Sequence, residues 1–429
     1  MKKKLNIAIV GLGNIGSYLY NYLIKNKSIL SKKNNCEPNI IFVSAKNIKK
    51  KRNININKKK WLKNYLDATL SKDVDLIIEL IGGAEGPAKK LVFNALKNKK
   101  HVVTANKALI AKYGNKLSKI AEENKVNLEF EAAVCGGVPI IRSLKEGLIA
   151  NKIKRVYGIF NGTSNYILST MDKSNKDFSE VLLKAKELGY AESNPNSDLN
   201  GDDVASKLKI LSSLCFNSFI NNNIHIEGIN LIDKKDIQNA DHLGYKIKLL
   251  GVSELINDKV YQRVHPTLIK KGSYIAGIDG VLNAVIVEGE PIGQNLIQGE
   301  GAGPEATTSA LVSDICSILR GNIKFPFSIS NKERKKLNYS NINEKSFSAY
   351  LRFEVVDKPG VLSNITSIFS KNKVSIKRII QSPNKSKKFS SIIIITHEAK
   401  DKFLSKVLKK VEKKTYITKH PKLIRIGVN

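Results

Sequence analysis

The opening of this chain limits its fold more than any other segment. Residues 5 to 10 (LNIAIV) are an apolar run of strand length, Gly11, Gly13 and Gly16 follow as GLGNIG, and SYLYNYLIKN then shows helical spacing with a basic end. A first glycine permits the tight strand-to-helix turn, a second lets a pyrophosphate approach the backbone, and a third allows close helix packing, while the helix N-terminus supplies amide donors and a positive dipole. Alone, such a motif also fits an ordinary glycine turn. Here it opens a longer series: NIIFVSA (39 to 45), VDLIIELIGG (74 to 83), HVVTAN (101 to 106) and VNLEFEAAV (126 to 134) are apolar and β-branched. They alternate with helical stretches from Pro87 to Lys99 and from Lys107 to Asn124. That alternation predicts an α/β fold of Rossmann type, a doubly wound parallel sheet with helices on both faces and a dinucleotide at the glycine turn.

After Gly136 and Gly137 the pattern changes. Helical stretches at 139–150, 180–188, 202–216 and 235–250 mix with strand candidates at 155–160, 260–266 and 283–289, which reads as a second, α+β domain. A Gly-rich turn before Pro304 opens a helix expected to return to the first domain. Residues 329–346 lack apolar periodicity and read as a linker. From Ala349 the order is strand, DKPG turn, helix, strand, polar turn PNKSKK (383–388), strand, helix and a short last strand, the βαββαβ plan of a ferredoxin-like domain.

Seventy-two basic against 38 acidic residues leave a net charge of +34. The excess is spread along the whole chain, with lysine and asparagine abundant and arginine scarce, so a solvated basic surface is expected and no nucleic-acid partner. No apolar stretch reaches the roughly 18 residues needed to span a bilayer, so no membrane partner is expected. Met1 to Lys4 followed by LNIAIVGLG (5–13) copies a signal peptide only superficially. Cys36, Cys135, Cys215 and Cys316 stand far apart with no metal-type spacing, which suits reduced thiols and a cytoplasmic location.

Two constellations carry chemistry. An NAD site places an acid at the end of the second strand, whereas this strand ends in Ser44, Ala45 and Lys46, with Lys49 to Arg52 beyond. A hydroxyl and cations in place of a carboxylate favour a 2′-phosphate, hence NADP(H), with NAD(H) as the alternative. The run from Ala185 to Lys207, AKELGYAESNPNSDLNGDDVASK, gathers Glu192, Asp198, Asp202, Asp203 and Lys207 around Pro195 and Gly201. Asp203 and Lys207 stand four apart on one face of a helix start. They fit either a surface ion pair or a pocket in which carboxylates hold an ammonium while the lysine moves a proton.

This second run resembles the signature of homoserine dehydrogenases. VTANK (103–107), FEAAVCGGVP (130–139) and NGTSNYIL (161–168) resemble that family's other blocks in the same order, and DKPGVL (357–362) resembles an ACT domain. The resemblance implies NAD(P)H-dependent reduction of L-aspartate 4-semialdehyde to L-homoserine, on the route to threonine, methionine and isoleucine. It implies a Rossmann domain at 1–134 completed by 303–321, a substrate and dimerisation domain at 135–302, and an ACT regulatory domain at 349–429. Lys207 then corresponds to the proton donor and Lys107 to the lysine between nicotinamide and substrate. Glu192 and Asp203 match the residues that bind the substrate's amino end, with Asp198 supporting them. Cofactor positions map to Gly11, Leu12, Gly13, Asn14, Ile15, Gly16, Ser44, Lys46, Thr104, Lys107, Gly189, Glu192, Gly301 and Gly303. Glu131, Val134, Gly136 and Val138 fall where the family can hold a sodium ion. A homodimer or homotetramer is implied, with an amino-acid effector, threonine, at the ACT domain. No kinase-like segment precedes the dehydrogenase part, so a single activity is expected.

Overall fold

The computed structural model describes residues 3–52, 54–383 and 388–428. The polar turn expected at 383–388 lies, apart from its two ends, outside the described residues. Five parallel strands, β1 (Lys3–Val10), β2 (Cys36–Ser44), β3 (Leu76–Glu79), β4 (His101–Thr104) and β5 (Leu128–Glu129), form one sheet in the order β2-β1-β3-β4-β5. Their connections carry α1 (Asn14–Lys25), α2 (Lys27–Asn34), α3 (Asp67–Leu70), α4 (Pro87–Lys97) and α5 (Lys107–Glu123). Ile7, Ala8, Ile9, Leu76, Ile77 and Ile78 are wholly buried, as a central strand covered on both faces requires. Proline at the start of α4 and the Asn106 side chain, which accepts the Leu109 N–H, set two helix starts. The strand order reverses between β1 and β3, so the ligand crevice of such a sheet opens there, at the carboxyl ends.

The middle of the chain runs α6 (Ile140–Arg142), a π-turn at Ser143–Gly147, β6 (Lys152–Ile159), α7 (Gly162–Ser174), α8 (Phe178–Glu187), α9 (Asn196–Asn200) and α10 (Asp202–Cys215). Then come β7 (His225–Ile226), α11 (Lys234–His242), β8 (Tyr245–Ile256), β9 (Lys259–Lys270), β10 (Leu282–Glu290), β11 (Gly293–Glu300) and α12 (Pro304–Leu319). Helix α12 packs back on the first sheet's layer, where Leu311, Ile315 and Ile318 join Leu19, Leu23, Ile7 and Ile9 in one core. Two expectations are corrected. The helix expected over 235–250 ends at His242, because Gly244 (φ +83°) breaks it and the apolar run that follows is β8, buried on both faces between β6 and β9. The strand expected over 126–134 pairs only at Leu128–Glu129. The chain then turns because the Glu131 carboxylate folds onto the backbone N–H groups of Ile141 (2.9 Å) and Arg142 (2.7 Å) at the start of α6.

The C-terminal part comprises β12 (Asn338–Tyr339), β13 (Ser346–Val356), α13 (Val361–Lys371), β14 (Ile376–Pro383), β15 (Phe389–Thr396), β16 (Ala399–Lys400), α14 (Asp401–Glu412) and β17 (Lys422–Ile426). Its sheet runs β17-β13-β15-β14, the ferredoxin-like order, and β17 pairs in parallel with β9 through Arg425–Thr267 and Ile426–Leu268. The two halves therefore share one twelve-stranded sheet. Nor is 329–346 a loose linker. Arg334 is buried and donates to the Ser218 carbonyl (2.9 Å), Ser213 Oγ (2.8 Å) and Asn115 Oδ1 (2.9 Å), its guanidinium lies over Phe327 and Phe219, and β12 pairs with β9. Hydrogen bonds and one guanidinium order this segment, and an apolar pattern carries no trace of either.

Candidate active site

Helix α10 begins behind Gly201, whose φ of +89° suits glycine, and this start sets Asp203 and Lys207 one turn apart at the bottom of a cavity of about 520 Å3. Lys207 Nζ donates to Asp203 Oδ2 (2.8 Å) and to the Phe160 carbonyl (2.6 Å). Lys107, in the first turn of α5, comes from the first sheet's side and places its Nζ 2.9 Å from Asp203 Oδ1. Asn161 caps α7 through its Oδ1, and its Nδ2 donates to both Asp203 Oδ2 (2.9 Å) and Asp198 Oδ1 (2.8 Å). One carboxylate thus holds two ammonium groups from two different layers of the molecule. Glu192, exposed at the rim, and Gly189, Gly301 and Gly303 line the same space.

Burial pushes the Asp203 carboxyl upward, but the two ammonium groups and the hydrogen bonds from Lys207 and Asn161 outweigh it, so the group lies well below the usual carboxylate range. Burial presses Lys207 down, and the Asp203 carboxylate more than offsets that, leaving the ammonium above its ordinary value. Asp198 is raised, by burial first and by the neighbouring Asp203 charge.

The other cofactor-type positions sit along the crevice of the first sheet. A Cβ on Gly11 would lie 2.4 Å from the Leu80 carbonyl oxygen and one on Gly16 2.1 Å from that of Gly11, so both must be glycine; around Gly13 there is open space. No side chain caps α1, so its first-turn N–H groups, from Asn14 and Ile15 onward, face that space beside Leu12. Ser44 is buried and its carbonyl accepts from Gly11 N; Lys46 is exposed. Thr104 is different, because its buried hydroxyl donates to Glu79 (2.5 Å), which in turn accepts the N–H groups of Ile81 and Gly82. Thr104 can therefore meet a ligand only through its backbone. The sequence reading took Arg52 only as the end of a basic run; its Nε donates to the Leu12 carbonyl (2.9 Å) and so sets a guanidinium beside the glycine turn. It also passed over Asn161 and Asn283. Asn283 is buried in the cavity wall against Gly301, with the Cys135 thiol beside its amide.

The model described as "Homoserine dehydrogenase, NAD binding domain" matches residues 11–131, "Homoserine dehydrogenase" matches 139–316, and "ACT domain" matches 349–414. The homoserine dehydrogenase of Neisseria gonorrhoeae is 38% identical over 431 residues, covering 99% of both chains, and that of Helicobacter pylori is 38% identical over 99% of this chain and 100% of its own. The crystal structure of a homoserine dehydrogenase from Thiobacillus denitrificans superposes with a TM-score of 0.91 at 35% identity, over 99% of this chain and 98% of that one. The chain belongs to the homoserine dehydrogenase family. A more distant structure, a hyperthermophilic archaeal homoserine dehydrogenase in complex with NADPH, shares the fold over 73% of this chain at 24% identity, with a TM-score of 0.61.

The reaction is thus the NAD(P)-dependent interconversion of L-aspartate 4-semialdehyde and L-homoserine, in the biosynthesis of threonine, methionine and isoleucine. The residues present fit a nicotinamide dinucleotide. Two glycines are packed too tightly for any Cβ, the helix start behind them is uncapped, and no acid stands at the end of β2. For a monovalent cation the fit rests on backbone oxygens: the carbonyls of Val134 and Gly136 accept no hydrogen bond among the described residues, whereas the buried Glu131 carboxylate is taken by the N–H groups of Ile141 and Arg142. The Val138 carbonyl is already engaged by Ile140 N. No cluster of three or more His, Cys, Asp or Glu side chains that could hold a metal occurs among the described residues, so such a cation would rest on backbone oxygens. No described helix is long and apolar enough to cross a membrane.

Proposed function

We propose that Lys207 is the group that gives a proton to the aldehyde oxygen of L-aspartate 4-semialdehyde and recovers it from homoserine in the reverse direction. The observation that carries this reading is the convergence of Lys207 and Lys107 on Asp203 at the floor of the cavity where the two layers meet. Lys207 spends two N–H groups on Asp203 and the Phe160 carbonyl, which fixes its direction and leaves the third for a substrate oxygen. Its raised affinity for the proton keeps it charged at neutral pH, the state needed to meet a growing alkoxide. When bound, the nicotinamide supplies the hydride. Lys107 stands between cofactor and substrate, where its charge pairs with the substrate carboxylate or polarises the reacting oxygen. Glu192 and Asp203 take the substrate ammonium, with Asp198 behind them, bonded through Asn161.

The cofactor is NADP(H) by preference. Lys46 and Arg52 flank the end of β2, where an acid would repel a 2′-phosphate, and Gly11 to Gly16 receive the pyrophosphate. Gly189, Gly301 and Gly303 let the nicotinamide half lie against backbone. The loop of Glu131, Val134, Gly136 and Val138 holds a sodium ion behind the Gly301 turn, to which Gly137 N is tied through the Glu300 carbonyl (2.8 Å). The chain divides at 1–134 with 303–321, at 135–302 and at 349–429, works in the cytoplasm as a homodimer or homotetramer, and is slowed by threonine acting through its ACT domain. Mixing the purified protein with homoserine and either NADP or NAD, and following absorbance of the reduced nicotinamide, tests the central reading. Turnover of homoserine with a higher kcat/KM for NADP is expected, and no turnover with either cofactor would overturn it.

A further inference from the structure

The molecule has a second cleft as large as the catalytic one, about 530 Å3, and the reaction does not use it. It lies in the seam between the ACT domain and the catalytic domain, walled on one side by the segment 227–232 and on the other by α14 and β17. Leu231, 59% exposed, lines it together with Leu408 and Leu423, so its walls are apolar surface left open to water. Lys422 Nζ donates to the Leu231 carbonyl (2.5 Å) and forms no salt bridge among the described residues, although its charge is felt by Asp233, which is itself bridged to Arg352. Glu227, partly exposed, bonds His225 (2.7 Å) and Arg425 (2.8 Å) and keeps acceptor capacity toward the cleft. A half-buried cation with a neutral partner, a carboxylate, and an apolar wall in the same cleft make the complement of a small zwitterion with an aliphatic body.

The cleft is also mechanically next to the catalytic residues. Glu227 is fixed to β9 by its N–H on the Val264 carbonyl (2.7 Å), Ile229 N donates to the Leu199 carbonyl (2.8 Å), and Asn230 Nδ2 donates to Asn200 Oδ1 (2.6 Å). Gly228 lies so close that a Cβ there would be 2.2 Å from the Leu199 carbonyl oxygen. The wall of the cleft thus grips the turn 199–201, from which α10 starts with Asp203 and Lys207. By contrast, the DKPG turn opens a depression of about 350 Å3 lined by ACT residues alone.

We propose that this seam cleft is the site of a free aliphatic α-amino acid, with its carboxylate on Lys422, its ammonium on Glu227 and its side chain on Leu231, Leu408 and Leu423. Occupancy acts on Asp203 and Lys207 through residues 227–230 and 199–201. The inference rests on the reading that the ACT domain serves an amino-acid effector, and it places that effector in the seam and not at the DKPG turn.

The test uses the full-length protein after its oxidation of homoserine has first been assayed, so that absence of that activity counts against the catalytic reading and not against the cleft. Calorimetric titrations with L-threonine, L-valine, L-valinamide and isovalerate are run on the wild type and on Lys422→Met, Leu231→Glu and Lys358→Met, with melting curves to show that each variant is folded. Loss of one charge-assisted contact weakens binding by about 10- to 100-fold, so valinamide, isovalerate and the Lys422→Met titrations should fall by that factor while Lys358→Met binds as the wild type does. Hydrogen exchange on the wild type needs no variant. The bound amino acid should protect 226–232 and 199–203. Failure of every amino acid to bind, wild-type affinity in both Lys422→Met and Leu231→Glu, or protection confined to 356–362 would overturn the proposal.

Discussion

Two buried ion clusters, built from the same residue types, serve opposite ends in this molecule. In the catalytic cavity Asp203 carries Lys207, Lys107 and Asn161, yet the cluster stays open: Lys207 has an N–H to spare, Asp198 has an oxygen to spare, and Glu192 stands at the rim. In the seam Arg352 spends its guanidinium on Asp236 (2.7 Å), Asp233 (2.5 Å) and Glu354 (2.7 Å). Tyr350 donates to Asp236 (3.1 Å) and Asn239 to Tyr350 (3.0 Å). That cluster is closed around Arg352, whose donors are all spent on three carboxylates, and none of its members lines either of the two large clefts. What separates a working site from a joint is unused hydrogen-bonding capacity facing a space, and not the presence of charge.

The comparison predicts where substitution is felt. Arg352→Met should cause the largest change in stability, about 3–5 kcal/mol, because it leaves Asp236 and Asp233 without their cation in a site where Asp236 is fully buried. Denaturant unfolding measures it, and kcat well below the transition should change little. If stability were untouched while turnover collapsed, the seam would be part of the active site and the distinction would fail. Lys207→Ala should do the reverse, lowering turnover by about a hundredfold or more while NADPH binding, read by fluorescence, stays intact. A variant retaining more than a tenth of wild-type turnover would remove Lys207 from the role assigned here.

Glu192→Gln and Asp203→Asn come next. On the proposed reading each removes one charge-assisted contact to the substrate ammonium, which should cost about 1.5 to 3 kcal/mol, expressed mainly as a higher KM for homoserine. Asp203 holds Lys207 directly, so its variant should also lower kcat, whereas Glu192 at the rim should not. Unchanged KM in both would show that the ammonium sits elsewhere. The pH profile offers a further test. With Lys207 in the proposed role, homoserine oxidation needs it without its proton, and the Asp203 carboxylate raises the lysine's hold on it, so the oxidation rate should climb by about tenfold per pH unit and level off only above the ordinary lysine value near 10.4. Aldehyde reduction, which needs the proton, should be flat at neutral pH and decline over the same alkaline range. A plateau in oxidation near pH 7 would mean that another group titrates.

Much of this was legible in the sequence, and the rest for physical reasons was not. The glycine turn at 11–16 and the Asp203–Lys207 pair announce themselves because backbone conformation and helical spacing are local. Asn161, which ties Asp198 to Asp203, and Arg52, which crosses 40 residues to the Leu12 carbonyl, act through contacts between segments that no periodicity marks. The segment 329–346 was misread for the same cause, since Arg334 orders it through polar bonds. Helix and strand were confused over 245–250 because a strand buried on both faces loses the alternation that identifies strands.

The smallest predicted effect lies at the far end of the crevice, where the site meets solvent and neither cluster reaches. Lys46 is exposed and Arg52 half-buried, held by the Leu12, Asn47 and Lys50 carbonyls. A 2′-phosphate there gains from charges screened by water, so each should contribute about 1 kcal/mol, roughly a factor of five, and less at high salt. Arg52→Met should therefore lower kcat/KM for NADP by about that factor and leave NAD unaffected, while Ala45→Asp should shift the ratio further toward NAD by adding repulsion. Equal use of both cofactors by the wild type would show that the cations at the end of β2 are merely part of the chain's general excess of +34. A preference abolished by Arg52→Met but not by Lys46→Met would instead show that the guanidinium fixed to the glycine turn, and not the exposed ammonium of Lys46, reads the phosphate, because its geometry is already set before the cofactor arrives.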